Sequence, residues 1–157
     1  MSKSFRVPGS SSNLGPGFDA LSLALKIYLR VKVTPNEGPG GLHVDSSGID
    51  SEKMPTGKDN LIVRVIDSIA RQRKQSIPSA ILTTRNEIPL ARGLGSSSAA
   101  ILAGITSYEF LTEERLAVNE IFRYATEFEP HPDNLAAGLF GAGVGQRFTV
   151  IAVGIEG

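Results

Sequence analysis

Between a short strand-like stretch, Ser79 to Thr84, and a long run rich in Ala, Ile and Leu, the chain reads Pro89-Leu90-Ala91-Arg92-Gly93-Leu94-Gly95-Ser96-Ser97-Ser98-Ala99-Ala100. Two glycines one residue apart let a backbone turn tightly and expose its N–H groups. Three serines then fall where a helix would open, and the first amides of a helix have no partner inside it and sit at the positive end of its dipole. A strand, a glycine turn and a helix start in that order form a natural seat for an anion, phosphate above all. The string is not a Walker A loop, since it lacks the Lys-Ser or Lys-Thr ending. It is not the dinucleotide fingerprint either, since Ser98 stands where the third glycine belongs. A bare Gly-x-Gly-Ser also fits an ordinary serine-capped loop, so the rest of the chain has to decide.

Bulk properties narrow the field. With 157 residues, 41% of them hydrophobic, the chain can close one core but not two full-sized ones. Sixteen basic and sixteen acidic residues cancel, and no segment gathers Lys and Arg into a patch for a nucleic-acid backbone, so nucleic acid is not an expected partner. There is no Cys, which removes disulfides and Cys-based zinc sites and suits a reducing compartment. No apolar run reaches signal-peptide or bilayer length, so the expectation is a cytoplasmic protein without a membrane partner.

The hydrophobic pattern mixes both periods. Ile27, Leu29, Val31 and Val33 alternate with Tyr28, Arg30, Lys32 and Thr34, which predicts a half-buried strand within an early antiparallel hairpin. Leu42 to Asp45 and Arg147 to Val153 are further candidate strands, separated from the rest by Gly/Pro loops and a polar stretch to Lys58. Asp59 or Asn60 can cap a helix whose Leu61, Ile62, Val65, Ile66, Ile69 and Ala70 form one stripe. Helices are also expected from Ser96, over Thr112 to Phe128, and over His131 to Phe140 with Pro132 in its first turn. Strands and helices in this arrangement give an α+β class.

Two further strings carry polar chemistry. Val7-Pro8-Gly9-Ser10-Ser11-Ser12-Asn13-Leu14-Gly15-Pro16-Gly17-Phe18-Asp19-Ala20-Leu21 places an amide and a carboxylate in a glycine-rich turn. Asn13 and Asp19 are equally common as turn and cap residues. His131-Pro132-Asp133-Asn134-Leu135-Ala136-Ala137-Gly138-Leu139-Phe140-Gly141 sets a carboxylate and an amide at a helix start.

Taken in order, the three strings resemble the homoserine kinases of the GHMP small-molecule kinase superfamily. The resemblance implies the N-terminal domain of that fold, a ribosomal-protein-like mixed sheet with helices packed on it. It implies ATP and Mg2+ as cofactors, with L-homoserine receiving a phosphoryl group on its side-chain hydroxyl in threonine biosynthesis. Pro89 through Ala99 would wrap the ATP phosphates, Ser97 would hold magnesium, and Glu127 would be the second metal ligand, with Glu129 as the alternative. Asn13, Asp19 and His131 would contact the amino acid. Asp133 would lie at the substrate hydroxyl, with Asn134 between substrate and phosphates; whether Asp133 removes the proton is open, because a loose phosphoryl transfer depends mainly on alignment and charge neutralisation. Asn60 with Leu61 resembles the segment at the nucleotide pocket, although Asn60 is needed as a cap in any case.

The sequence departs from the family pattern at Pro130, where a glycine usually precedes the His, and at Asn86, where a Lys often precedes the Ile-Pro pair. Family members continue into a second domain. Residues 1–157 are therefore expected to be the first domain alone, and an uncovered docking face would favour homodimers. A noncatalytic module that binds nucleotide or amino acid, or another GHMP small-molecule kinase, is the competing expectation.

Overall fold

The structure, a computed structural model, describes residues 1–12, 21–36, 40–130, 132–141 and 149–152. Among the described residues, five strands and four helices follow one another as β1 (Lys3–Ser12), β2 (Leu21–Pro35), β3 (Leu42–Gly48), α1 (Leu61–Arg73), β4 (Ala80–Asn86), α2 (Ser96–Thr112), α3 (Val118–Thr126), α4 (Pro132–Gly141) and β5 (Thr149–Ala152). A short 3-10 turn, Ser51–Lys53, follows β3. The sheet runs β1-β2-β4-β3, with β5 pairing the first residues of β2. β1, β4 and β5 lie antiparallel to β2, and β3 lies parallel to β4, so the sheet is mixed.

The expected alternation in β2 divides its faces. Leu29, Val31 and Val33 are buried beside Val7, Val44 and Leu82, while Arg30 and Lys32 are exposed. The inner face packs on Ile62, Val65, Ile66 and Ile69 of α1 and on Ile101, Ile105 and Tyr108 of α2, so one core lies between the sheet and the helices. Asn60 is the cap of α1, its Oδ1 accepting from the Ile62 N–H at 2.9 Å. α1 ends at Lys74 in the left-handed region, where the Lys74 N–H bonds back to Arg71 and the Gln75 N–H to Ala70. α2 crosses α1 closely at Gly104, where an added Cβ would come within 2.7 Å of Val65 Cβ and 2.9 Å of Ile62 O.

The helix expected over Thr112 to Phe128 is shorter than its apolar spacing suggests. α2 continues through Thr112 and stops at Glu113, whose φ of 58° breaks the right-handed path. The chain is then re-anchored before α3 by Glu109, which accepts from the Leu116 N–H at 2.8 Å, and by Glu120, which accepts from the Ala117 N–H at 3.0 Å. Those two carboxylates satisfy amides that a continuous helix would have bonded internally. No described helix is long and apolar enough to cross a membrane.

Candidate active site

Pro89 to Gly95 join β4 to α2 on the route the sequence suggests. Gly95 precedes the first turn of α2 with φ 69°, and Gly93 has φ 68°. Gly95 carries no side chain to cap the helix, so its opening amides face the loop rather than a neighbouring hydroxyl. Gly95 is also pressed on β1: a Cβ there would collide with the Ser10 hydroxyl and come within 3.0 Å of the Ser10 N. Ala91 adopts a φ of 54° without being glycine, a conformation that costs about 1 to 2 kcal/mol in an L-residue. Something must hold the loop in that shape.

Two anchors do so. The Ser10 N–H donates to Leu94 O at 2.9 Å, fixing the loop to β1. On the other side Asp50 Oδ2 accepts from the Leu90 N–H at 3.1 Å, while its Oδ1 accepts from Lys53 Nζ at 2.5 Å. The Lys53 ammonium first, and then the Leu90 N–H, hold the Asp50 carboxyl below the usual carboxylate range.

The first and third strings meet at the same place. β1 loses register with β2 between Pro8 and Ser10, a bulge that changes the path of the strand just before its serines. Ser10 Oγ donates to Asn134 Oδ1 at 2.9 Å, and Asn134 Nδ2 donates to Ser12 Oγ at 3.0 Å. Ser22 Oγ donates to the Asp133 carbonyl at 2.6 Å, which ties the first turn of α4 to β2. Asp133 itself is 5% exposed, and its Oδ1 is buried with no hydrogen-bond partner among the described residues. A buried carboxylate oxygen without a donor is costly, and a donor brought by a ligand would relieve that cost. Asn13, Asp19 and His131 lie outside the described residues.

Beside the loop is a cleft of about 300 Å³, walled by Pro55, Leu61, Ile62, Leu90 and Ala91 and reaching Ser96 and Ser97. Its walls are mostly apolar, with the hydroxyls of Ser46, Thr84, Ser96 and Ser97 among them, a lining suited to a flat ring system joined to a polar group. Asn60 lies on its lining, but the amide is used twice: Oδ1 caps α1, and Nδ2 donates to Pro55 O at 2.7 Å. Its observed part is to set the Pro55 wall. Asn86 is likewise occupied, donating to Ile49 O and Ile88 O and accepting from the Ile88 N–H. At the opening of α2, Ser97 is exposed, whereas Ser98 and Ala99 are buried. Arg92 is exposed on the loop.

The two expected metal ligands have different settings. Ser97 is free to face the cleft, whereas Glu127 is bonded to α1, accepting from Gln72 Nε2 at 2.9 and 3.0 Å and from Ser68 Oγ at 3.3 Å. No group of three or more His, Asp or Glu side chains that could hold a metal occurs among the described residues. Magnesium bound mainly through phosphate oxygens needs few protein ligands, so the Ser97 hydroxyl fits that demand, and the Glu127 carboxylate keeps lone pairs beyond the bonds from Gln72 and Ser68.

Residues 60–142 match the N-terminal domain of the GHMP kinases, more than half of the chain. The chain belongs to the GHMP kinase family. It is 43% identical over 135 residues to a homoserine kinase from Halalkalibacterium halodurans, a match covering 86% of this chain and 43% of that protein. It is 44% identical over 138 residues to a homoserine kinase from Clavibacter michiganensis subsp. michiganensis, covering 87% and 43%. The crystal structure of a homoserine kinase from Cytophaga hutchinsonii superposes with a TM-score of 0.75 at 22% identity, over 99% of this chain and 52% of that one, and so shares the fold. The chain thus spans less than half the length of the curated relatives it matches. Its α+β class and mixed sheet are those of the family's N-terminal domain.

Sequence reasoning missed several residues that shape this candidate site of the GHMP kinase domain. Ser10, Ser12 and Ser22 have no chemistry that marks them individually, although the first two lie inside the first string. Asp50 falls in a polar stretch without periodicity, where a contact to Leu90 forty residues away leaves no local signal.

Proposed function

We propose that this domain is the nucleotide- and substrate-binding part of an enzyme that transfers the terminal phosphoryl group of ATP to the side-chain hydroxyl of L-homoserine, with magnesium. The observation that carries the reading is the buried Oδ1 of Asp133, without a partner among the described residues and one residue from the Asn134 amide that joins the first string to the third. A substrate hydroxyl would supply the donor that the described residues do not. In accepting its hydrogen bond, Asp133 would orient the oxygen for in-line attack on the terminal phosphorus, as the bond from that phosphorus to the ADP oxygen breaks.

The opening amides of α2 and the Ser96 and Ser97 hydroxyls would receive the phosphates, and the apolar cleft at Leu61 and Pro55 the base. Magnesium would supply charge neutralisation between phosphate oxygens, with Ser97 as its first protein ligand and Glu127 or Glu129 as the second. Asn13, Asp19 and His131 are proposed for the amino-acid end of the substrate. A cytoplasmic setting and a homodimer belong to the same reading.

The test is ADP formation from ATP with magnesium and L-homoserine, in the chain and in Asp133→Asn. Turnover that depends on L-homoserine and is lost in the variant supports the proposal. If L-homoserine neither stimulates turnover nor raises the melting temperature in the presence of ATP, the substrate assignment fails. ATP binding alone would then leave a noncatalytic nucleotide-binding module as the better reading.

A further inference from the structure

We infer that Lys53 is a phosphate-binding residue of the nucleotide cleft, supplied by the turn after β3 and held in place by Asp50. The inference rests on the nucleotide reading proposed above and adds a residue that the phosphate loop itself does not contain.

Elimination supports it first. A polyanion entering the cleft needs donors with free valences. Asn60 and Asn86, the two amides on the lining, are spent on backbone groups at both ends. Thr84 Oγ1 donates to Ser46 Oγ, so the hydroxyls of Ser46, Ser96 and Ser97 remain, together with one charged side chain among the lining residues, Lys53. An ammonium group has three donors, and Asp50 Oδ1 takes one of them, leaving two for a ligand.

Geometry supports it second. The Asp50 carboxylate holds Lys53 through Oδ1 and the Leu90 N–H through Oδ2, so the cation and the loop backbone are fixed to a single planar group. That arrangement sets the ammonium relative to the loop before any ligand arrives. It lowers the ordering cost that a lysine with a flexible four-carbon stem otherwise bears on binding. Asp50 reaches both partners from a backbone φ of 56°, a conformation that Asp tolerates better than most residues. A lysine turned only to solvent would require neither this conformation nor a carboxylate shared with the loop.

The test measures dissociation constants for ATP, AMP and adenosine by titration calorimetry in the 157-residue chain and in Lys53→Met and Lys53→Arg. Expected is a weakening of ATP binding by about tenfold in Lys53→Met, the scale of one charged hydrogen bond. Adenosine should change by less than about twofold on that scale, and Lys53→Arg should recover most of the ATP affinity. Adenosine is the control that separates a phosphate contact from a disturbed pocket wall. Equal weakening of ATP and adenosine, or unchanged ATP binding in Lys53→Met, overturns the inference. A wild-type chain that binds adenosine and ATP equally, or neither, overturns the nucleotide reading itself and this inference with it. Because the Lys53 side chain is 63% exposed, its replacement leaves the core untouched.

Discussion

Ser10 and Asn134 stand 124 positions apart in the chain, yet the Ser10 hydroxyl donates to the Asn134 amide oxygen at 2.9 Å. Ser10 also gives its backbone N–H to Leu94, so one residue of β1 joins the glycine loop between β4 and α2 to the start of α4. The three strings read separately along the sequence are thereby one structure. Ser10→Ala should lower stability by about 1 to 2 kcal/mol, the usual cost of leaving an amide oxygen without its donor. Urea unfolding should report it. A change below about 0.3 kcal/mol, within the range of ordinary surface substitutions, would mean that the bond does not order the junction.

The two loop glycines should respond differently to alanine. Gly93 has a positive φ but open space around its Cβ direction. Gly93→Ala therefore bears only the conformational cost, about 1 to 2 kcal/mol. Gly95→Ala bears the same cost and in addition drives a methyl into Ser10, an overpacking that typically adds about 1 to 3 kcal/mol. Combining Gly95→Ala with Ser10→Ala should cost less than the sum of the single changes, because the hydroxyl that is struck has been removed. Strict additivity in thermal unfolding would contradict the close approach.

Gly104→Ala offers a reversal of sign. On an isolated helix the substitution would gain about 1 kcal/mol from propensity. Here the methyl meets Val65 Cβ at 2.7 Å and Ile62 O at 2.9 Å, so α1 and α2 must move apart. We expect net destabilisation of about 1 to 3 kcal/mol. A stabilised variant would show that the helix pair has room to spare.

Acid sensitivity should come in part from Glu87. Its Oε1 accepts from Arg30 Nε at 2.9 Å and its Oε2 from the Tyr28 N–H at 3.1 Å, and the Arg30 guanidinium is the main reason its carboxyl titrates below the ordinary glutamate range. A depressed folded-state value means that this stabilisation is fully present above the unfolded value, about 4.3, and is lost as pH falls through the folded one. The stability difference between the wild type and Glu87→Gln should therefore be constant at neutral pH and shrink below about pH 4. Melting temperatures measured from pH 7 to pH 3 would check this. A difference that stays flat across the range would remove Glu87 from the acid response.

Much of the outline was legible because it is local. Alternation placed β2, the Asn60 cap placed α1, and glycine followed by serine placed the loop, since each signal lies within one or two turns of the residues it describes. The Thr112 to Phe128 helix misled for the same reason in reverse: Ala117, Ile121 and Ala125 do repeat at helical spacing, but Glu109 and Glu120 satisfy the backbone between α2 and α3 by contacts that periodicity does not encode. Asn60 was legible as a cap, whereas its second bond, to Pro55, became visible only with the fold.

By itself the sequence determined the identities and order of the three strings, the α+β class, and the residue types able to receive a phosphate. These depend on backbone freedom, charge and short-range hydrogen bonding, which are properties of neighbouring residues. The tertiary structure decided what those residues touch. It put Ser10 between Leu94 and Asn134, buried Asp133 Oδ1 without a partner among the described residues, tied Glu127 to Gln72, and brought Asp50 to Leu90. Each of these is a matter of contacts across many residues, set by how the sheet and helices pack, and packing is settled by the whole core at once rather than by any one segment of it.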